Sequence, residues 1–272
     1  MTDMSPATVR AGLKFLADRA STPVYVASRG GGDQTEHLGN FHTQDVSIHD
    51  ARAGLPSSDL DREGFMLRPH RSAVRDFYDD RTLPASYHPE LKALVKDVTG
   101  ARRVEIFDDT RRSSSLEKQR AHSIREPANV VHNDYTTRSG PQRLADYCAA
   151  AQEEARPERF AIVNVWRSIA APVIDQPLAL CDATTVRDDD LVATERRGEN
   201  RLGEIQLALY HPDQRWYFYP NMNRDEVLLF KTFDSALDGR TRFTLHSAFV
   251  HPQPPDGAAR RESIESRCLL FF

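Results

Sequence analysis

Beyond Gly100 the apolar residues stop recurring every three or four positions and begin to alternate. Successive side chains on a strand point to opposite faces, so an alternating run has one face to bury and one to leave wet. Runs of this kind cover residues 103–108, 128–134, 160–166, 178–182, 204–210, 215–219, 226–232, 242–250 and 262–271. They are short, and turn residues separate most of them. A helix interrupts them around residues 142–155. Such a series predicts a sandwich, jelly roll or barrel.

The first hundred residues read as a mixture of helix and strand. Ser5 caps a helix with Pro6 at its first position, and Val9, Leu13 and Leu16 follow at helical spacing. A second helix runs from about Pro89 to Val98, with Leu91, Leu94, Val95 and Val98 on one face and Gly100 just past its end. Three stretches, 30–40, 111–118 and 252–260, read as loops by their Gly, Ser and Pro content. None has the length of a linker. The expectation is one domain over 1–272, in which 1–100 packs on a core formed by 101–272.

Composition narrows the function classes. Of 272 residues, 36 are Lys or Arg and 40 are Asp or Glu, a formal charge of −4, which argues against a nucleic-acid surface. No apolar run approaches the 18–20 residues or so that cross a bilayer, and the N-terminus lacks the apolar core of a secretory signal. The three cysteines, Cys148, Cys181 and Cys268, are odd in number and far apart; they suit a reduced, cytoplasmic compartment and make no thiolate zinc site alone.

The segment carrying most chemistry is His132-Asn133-Asp134. Residues two apart on a strand share a face, so an imidazole and a carboxylate stand side by side, two of the three ligands that a non-heme Fe(II) centre takes. His-x-Asp is common by itself. Its rivals His211-Pro-Asp213 and His88-Pro-Glu90 carry a central proline, which suits a turn or a helix start. The third ligand is read as His246, which lies 114 residues beyond His132. In a double-stranded jelly roll that interval leaves room for the four strands that separate the ligand-bearing second and seventh strands. His251 ranks behind it, because its parity turns it the other way and Pro252 follows. The plain alternative for His246 is a core histidine.

On the final run, residues 261, 263, 265 and 267 share one face. Arg261, Glu265 and Arg267 are costly there unless partnered. A bound dicarboxylate is one partner, since a guanidinium pairs with a carboxylate through two parallel bonds and Ser263 can add a third. Pairing within the chain, with Glu262, Glu265 or Glu226, is the other reading.

Taken together, His132-x-Asp134, Asn164-x-Trp166-Arg167, Pro177-Leu178-Ala179-x-Cys181-Asp182, Trp216-Tyr217-x-Tyr219-Pro220, the run from Asp225 to Lys231, His246-x-Ala248-Phe249 and Arg261-Glu262-Ser263-Ile264-Glu265-x-Arg267 resemble the motif string of the CmcJ/AsaB-like (GA4 desaturase-like, NvfI-like) oxygenases. Ser168 stands where relatives usually have proline. The resemblance implies a mainly β double-stranded β-helix (jelly roll, cupin-like) with helical decoration, and an Fe(II)/2-oxoglutarate-dependent dioxygenase using O2. Such an enzyme hydroxylates, desaturates or cyclises a small natural-product-like molecule through ferryl-oxo hydrogen abstraction, releasing succinate and CO2. By the same resemblance His132, Asp134 and His246 match the metal-binding triad and Arg261 the anchor of the 2-oxoglutarate distal carboxylate. Ser263 assists, and Arg267 approaches the other carboxylate. A carboxylate at 134 argues against halogenation. One relative works beside a second protein, which leaves a partner tailoring enzyme, a homodimer, or a non-catalytic jelly-roll binding module or accessory subunit as the contrasting reading.

Several residues carry two readings. Tyr135, Trp166 and Arg167 line the substrate side of the iron or simply pack and rim the sheet. The aromatic run 216–219 reads as core. Asp188-Asp189-Asp190 reads as a helix start or a solvated loop, and Arg102-Arg103 and Arg111-Arg112 read as solvated.

Overall fold

The computed structural model of the chain describes residues 8–154, 157–199 and 201–272. In chain order these form β1 (Thr8–Leu16), β2 (Val24–Val26), β3 (Glu36–Leu38), β4 (Phe41–Asp50), α1 (Ala51–Gly54), β5 (Phe65–Pro69), α2 (His88–Thr99), β6 (Arg103–Ser113), α3 (Leu116–His122), β7 (His132–Asn133), α4 (Ser139–Ala151), β8 (Phe160–Ser168), β9 (Leu178–Cys181), β10 (Leu191–Gly198), β11 (Arg201–Ala208), β12 (Trp216–Phe218), β13 (Glu226–Asp234), β14 (His246–Ala248) and β15 (Glu262–Phe271). Ten strands hydrogen-bond in the order β1-β4-β12-β9-β14-β7-β11-β10-β2-β3, and five in the order β5-β13-β8-β15-β6. The two sheets face each other as the jelly roll that the alternation predicts. No helix among the described residues is long and apolar enough to cross a membrane.

The long sheet curls on itself. Lys14 bridges Val130 and Leu16 bridges Leu209, which brings β1 back against β7 and β11. Val9, Leu13, Phe15, Ile48, Trp216 and Phe218 fill the curl. Between the sheets pack Trp166, Leu180 and Phe230. Outside the shorter sheet, α2 presses Leu91 and Val95 onto Val104, Val163 and Leu229. Each such side chain contributes roughly 1.5–3 kcal/mol by leaving water.

The N-terminal segment corrects one expectation. Thr8–Leu16 is a strand, where Val9, Leu13 and Leu16 suggested a helix; Ser5 and Pro6 lie outside the described residues. The same stretch also alternates, with Val9, Ala11, Leu13 and Phe15 buried and Thr8, Arg10 and Gly12 exposed. Pairing with β4 decides between the two periods, since a nine-residue ladder from Thr8 opposite His49 to Leu16 opposite Phe41 buries the odd face. Gly12 suits that ladder, because a Cβ there would meet Thr43 Cγ2 at 2.7 Å.

Elsewhere the differences are of extent. The helix expected around 142–155 is α4, and residue 155 falls outside the described residues. The stretch 111–118 is no loop: it ends β6 and, after the Ser115 cap, begins α3. The stretch 30–40 carries β3. The second helix holds, with Gly100 at φ 71° as its left-handed cap. Asp188–Asp190 form a short 3-10 helix, as the helix-start reading has it, and Asp190 is buried and accepts from the Arg187 amide at 3.0 Å.

Phe15→Ala removes a ring from inside the curl and is expected to cost about 3–5 kcal/mol in urea unfolding. Arg10→Ala, on the outer face of the same strand, should cost no more than about 0.5 kcal/mol. Equally small effects at both positions would refute the strand reading.

Candidate metal centre

β7 and β14 are neighbours in the long sheet, and His132 stands directly opposite His246. Strand alternation turns Val131 into the curl, while His132 and Asp134 face the shorter sheet. The two imidazole rings lie 4.4 Å apart, centre to centre. His132, Asp134 and His246 each offer a ligand atom, all within 4.8 Å of one another.

Each ring is aimed by its own backbone. His132 Nδ1 donates to the Val130 carbonyl at 2.8 Å and His246 Nδ1 to the Thr244 carbonyl at 3.0 Å. A carbonyl only accepts, so both rings carry the proton on Nδ1 and leave Nε2 bare. Burial, then the neighbouring His246, pushes the His132 pKa down to about 4. Burial lowers His246 as well. Both therefore stand neutral, the state a ligating imidazole needs.

Asp134 is held from the opposite sheet. Its Oδ2 accepts from Asn164 Nδ2 on β8 at 2.8 Å and from Arg267 Nε on β15 at 2.9 Å. Oδ1 faces His132 Nε2 at 3.6 Å. Burial alone would raise this carboxyl, but the Arg267 guanidinium, the two histidines and the Asn164 amide together outweigh burial and hold it well below the usual carboxylate range. Two neutral nitrogens and one ionised oxygen are the donor set of a 2-His-1-carboxylate centre.

The two arginines of β15 differ in their company. Arg267 meets Asp134, Glu265 at 2.6 Å, and Asp108. Arg261 is buried, 2% exposed, and its guanidinium has no carboxylate within ion-pairing distance among the described residues. Its Nε donates to Ser263 Oγ and its Nη1 to the Gln176 carbonyl, both at 3.0 Å, and it lies 5.0 Å from the Trp166 ring. The acids considered for pairing within the chain are engaged elsewhere: Glu265 with Arg267, Glu262 with Tyr78 at 2.5 Å and Glu226 with Arg52 at 2.8 Å. Burial, then Arg112, pushes the Arg261 pKa down to about 9. One small cavity is lined by both histidines, Arg261, Glu265 and Arg267.

The family model described as an oxidoreductase/YMDC permease-like domain matches residues 13–271. The hydroxylase/desaturase CTB9 of Cercospora beticola is 32% identical over 275 residues, covering 90% of this chain and 83% of the relative. The Fe(II)/2-oxoglutarate-dependent dioxygenase nvfI of Aspergillus novofumigatus is 33% identical over 245 residues, covering 88% and 87%. A solved structure of the iron and alpha-ketoglutarate-dependent endoperoxidase NvfI superposes with a TM-score of 0.82, over 98% of this chain and 99% of that one, at 29% identity. The chain belongs to the Fe(II)/2-oxoglutarate-dependent oxygenase family.

The remaining sequence-selected residues separate cleanly. Tyr135 is buried beside Asp134 and lines a larger cavity of about 330 Å³. Trp166 shares the Asn164 face of β8 and lies under Arg261. Arg167 faces the other side of the sheet, fully buried near Phe77 and Tyr87, and donates to the His70 carbonyl at 2.5 Å; it is not brought to the cavity. His251 packs near Phe218 and Phe249, away from the cluster. His88 opens α2 and bonds Asp109 at 2.7 Å, and His211 lies between β11 and β12. Arg112 is not merely solvated: it lines the cavity with the histidines, and its Nη1 donates to the Glu126 carbonyl at 2.8 Å. Asn164 stood in the motif string without a role. Arg125, Arg143 and Arg196 belong to no motif in the sequence, and the one signal for Arg196 is that it shares a strand face with Thr194 on β10.

Removing Arg267 strands three acids. Arg267→Gln is expected to destabilise the protein by about 3–5 kcal/mol, as breaking buried ion pairs does, with only part restored by Arg267→Lys. The shift of the chemical denaturation midpoint measures it; a loss under about 1 kcal/mol would mean that the acids do not depend on this guanidinium.

Proposed function

We propose that this chain is an Fe(II)/2-oxoglutarate-dependent dioxygenase that hydroxylates, desaturates or cyclises a small natural-product-like molecule, with Fe(II) on His132, Asp134 and His246. The observation that carries this is the convergence of the three side chains beside a buried guanidinium that, among the described residues, has no carboxylate within ion-pairing distance. The donor set fits Fe(II), and the planar fork of Arg261 with the Ser263 hydroxyl fits the distal carboxylate of 2-oxoglutarate. When bound, Fe(II) with 2-oxoglutarate and O2 supplies an oxidant able to take hydrogen from a C–H bond, with succinate and CO2 released.

The protein's own part is positional. The Val130 and Thr244 carbonyls fix the two rings, while Asn164 and Arg267 fix Asp134. Burial of both histidines keeps bulk water from the centre. Arg267, already serving three acids, is a positioning residue for Asp134 rather than a second clamp on the cosubstrate. Tyr135 stands on the substrate side, and Trp166 supports Arg261. The first hundred residues belong to the same oxygenase domain, since β1 and β4 extend one sheet and β5 the other. The free cysteines, two of them buried, suit a cytoplasmic enzyme.

Elemental analysis of anaerobically reconstituted protein should find about one iron per chain, lost in His132→Ala, Asp134→Ala and His246→Ala and kept in His251→Ala. Iron retained by His246→Ala would remove that ligand from the assignment. A titration with 2-oxoglutarate, read by the charge-transfer band of its metal chelate, should show Arg261→Ala weakened about tenfold or more, with Arg261→Lys recovering part. An unchanged affinity would move the anchor elsewhere.

A further inference from the structure

The larger cavity beside Asp134 gathers arginines from separate elements: Arg196 on β10, Arg143 on α4 and Arg125 between α3 and β7. Acids on the same walls are already engaged. Asp108 and Asp134 face Arg267, and Glu204 faces Arg138 and the Thr136 hydroxyl. Among the described residues Arg125, Arg143 and Arg196 have no carboxylate within ion-pairing distance. Arg143 meets the Tyr135 hydroxyl and stacks 4.9 Å from the Phe107 ring, yet its Nε is buried without a hydrogen-bond partner. Burial, then Arg112 and Arg196, lowers the Arg125 pKa, and burial lowers that of Arg196. Like charges crowded out of water raise the free energy of the empty cavity, and an anion placed among them recovers it.

Beside these charges and the Ser139 hydroxyl, the wall carries an apolar strip. Phe107, Tyr135 and Ile205 line it, and Gly203, directly opposite Arg196 in the β10–β11 ladder, keeps it open. A Cβ on Gly203 would come only within 4.0 Å of the Arg196 carbonyl, so a larger side chain fits there at the cavity's expense.

We propose that this cavity binds the primary substrate as an amphipathic organic anion, its carboxylate against Arg125, Arg143 and Arg196 and its apolar body along Phe107, Tyr135 and Ile205, beside Asp134. That this anion is the oxidised substrate rests on the dioxygenase reading; that an anion binds rests on the arginines. It is distinct from 2-oxoglutarate, for which Arg261 supplies a separate guanidinium across the histidines.

The test uses a matched pair of probes, 1-naphthoate and the neutral 1-naphthamide, titrated by calorimetry into anaerobic protein loaded with Fe(II) and 2-oxoglutarate. The acid is expected to bind about tenfold or more tighter than the amide, as charge-assisted pairing requires, and to weaken with added salt. Arg125→Gln and Arg196→Gln should each remove most of that preference while leaving 2-oxoglutarate affinity within about twofold. Gly203→Leu, which narrows the cavity without touching a charge, should weaken acid and amide alike. Equal affinity for the two probes, binding of neither, or variants that keep the acid preference would overturn the proposal. So would loss of 2-oxoglutarate affinity in the arginine variants with naphthoate unaffected, which would place these groups on the cosubstrate. The dioxygenase reading fails separately, by absence of the 2-oxoglutarate chelate band in the wild type, and the same probe titration on metal-free protein still decides the anion site.

Discussion

The contact between Arg267 and Asp134 joins the two sheets beside the cluster of His132, Asp134 and His246. Asp134 follows a two-residue strand of the long sheet, and Arg267 stands in the middle of the ten-residue β15 of the other. A buried carboxylate needs a fixed partner, and this one has a guanidinium and an amide from the facing sheet. The same guanidinium answers Glu265 and Asp108. The Arg267 guanidinium thus helps to keep Asp134 ionised and oriented across the gap between the sheets.

The histidines are held by a different device. β7 and β14 have only two and three ladder residues, shorter than the alternating runs that contain them. Where the ladder stops, backbone groups are free for other work. The carbonyls of Val130 and Thr244, each two residues before a histidine, hold the rings. The Asn133 amide spans Tyr135, Gln206 and Thr232 and ties the segment to both sheets. Short strands are the structural cost of freeing polar backbone for ligand orientation.

Arg261 and Arg267 share one strand face but not one environment. Both point between the sheets, six residues apart, and the sequence does not distinguish them. Their surroundings do. Arg267 sits among three acids, while Arg261 sits among a hydroxyl, a carbonyl and an indole ring. A saturated cation orders its neighbours; an unsaturated one in a pocket selects an anion.

Much was legible in the chain itself. Alternation beyond Gly100 determined a mainly β fold, and parity placed His132 with Asp134 and Arg261 with Ser263, because a strand's side-chain period is fixed by backbone geometry. Proline in the rival His-x-acid motifs excluded them for the same local reason. What stayed hidden was decided by pairing across long sequence distances. Thr8–Leu16 satisfies both a helical and a strand period, and only β4 chooses between them. Arg167 and Trp166 look equally placed until the sheet acquires an inner and an outer side. Arg125, Arg143 and Arg196 come from segments without a shared motif, and a cluster made by folding alone has no spacing in the sequence to reveal it. Whether a charge is spent or free is a property of its neighbours in space, and for these arginines the tertiary structure alone supplies the neighbours.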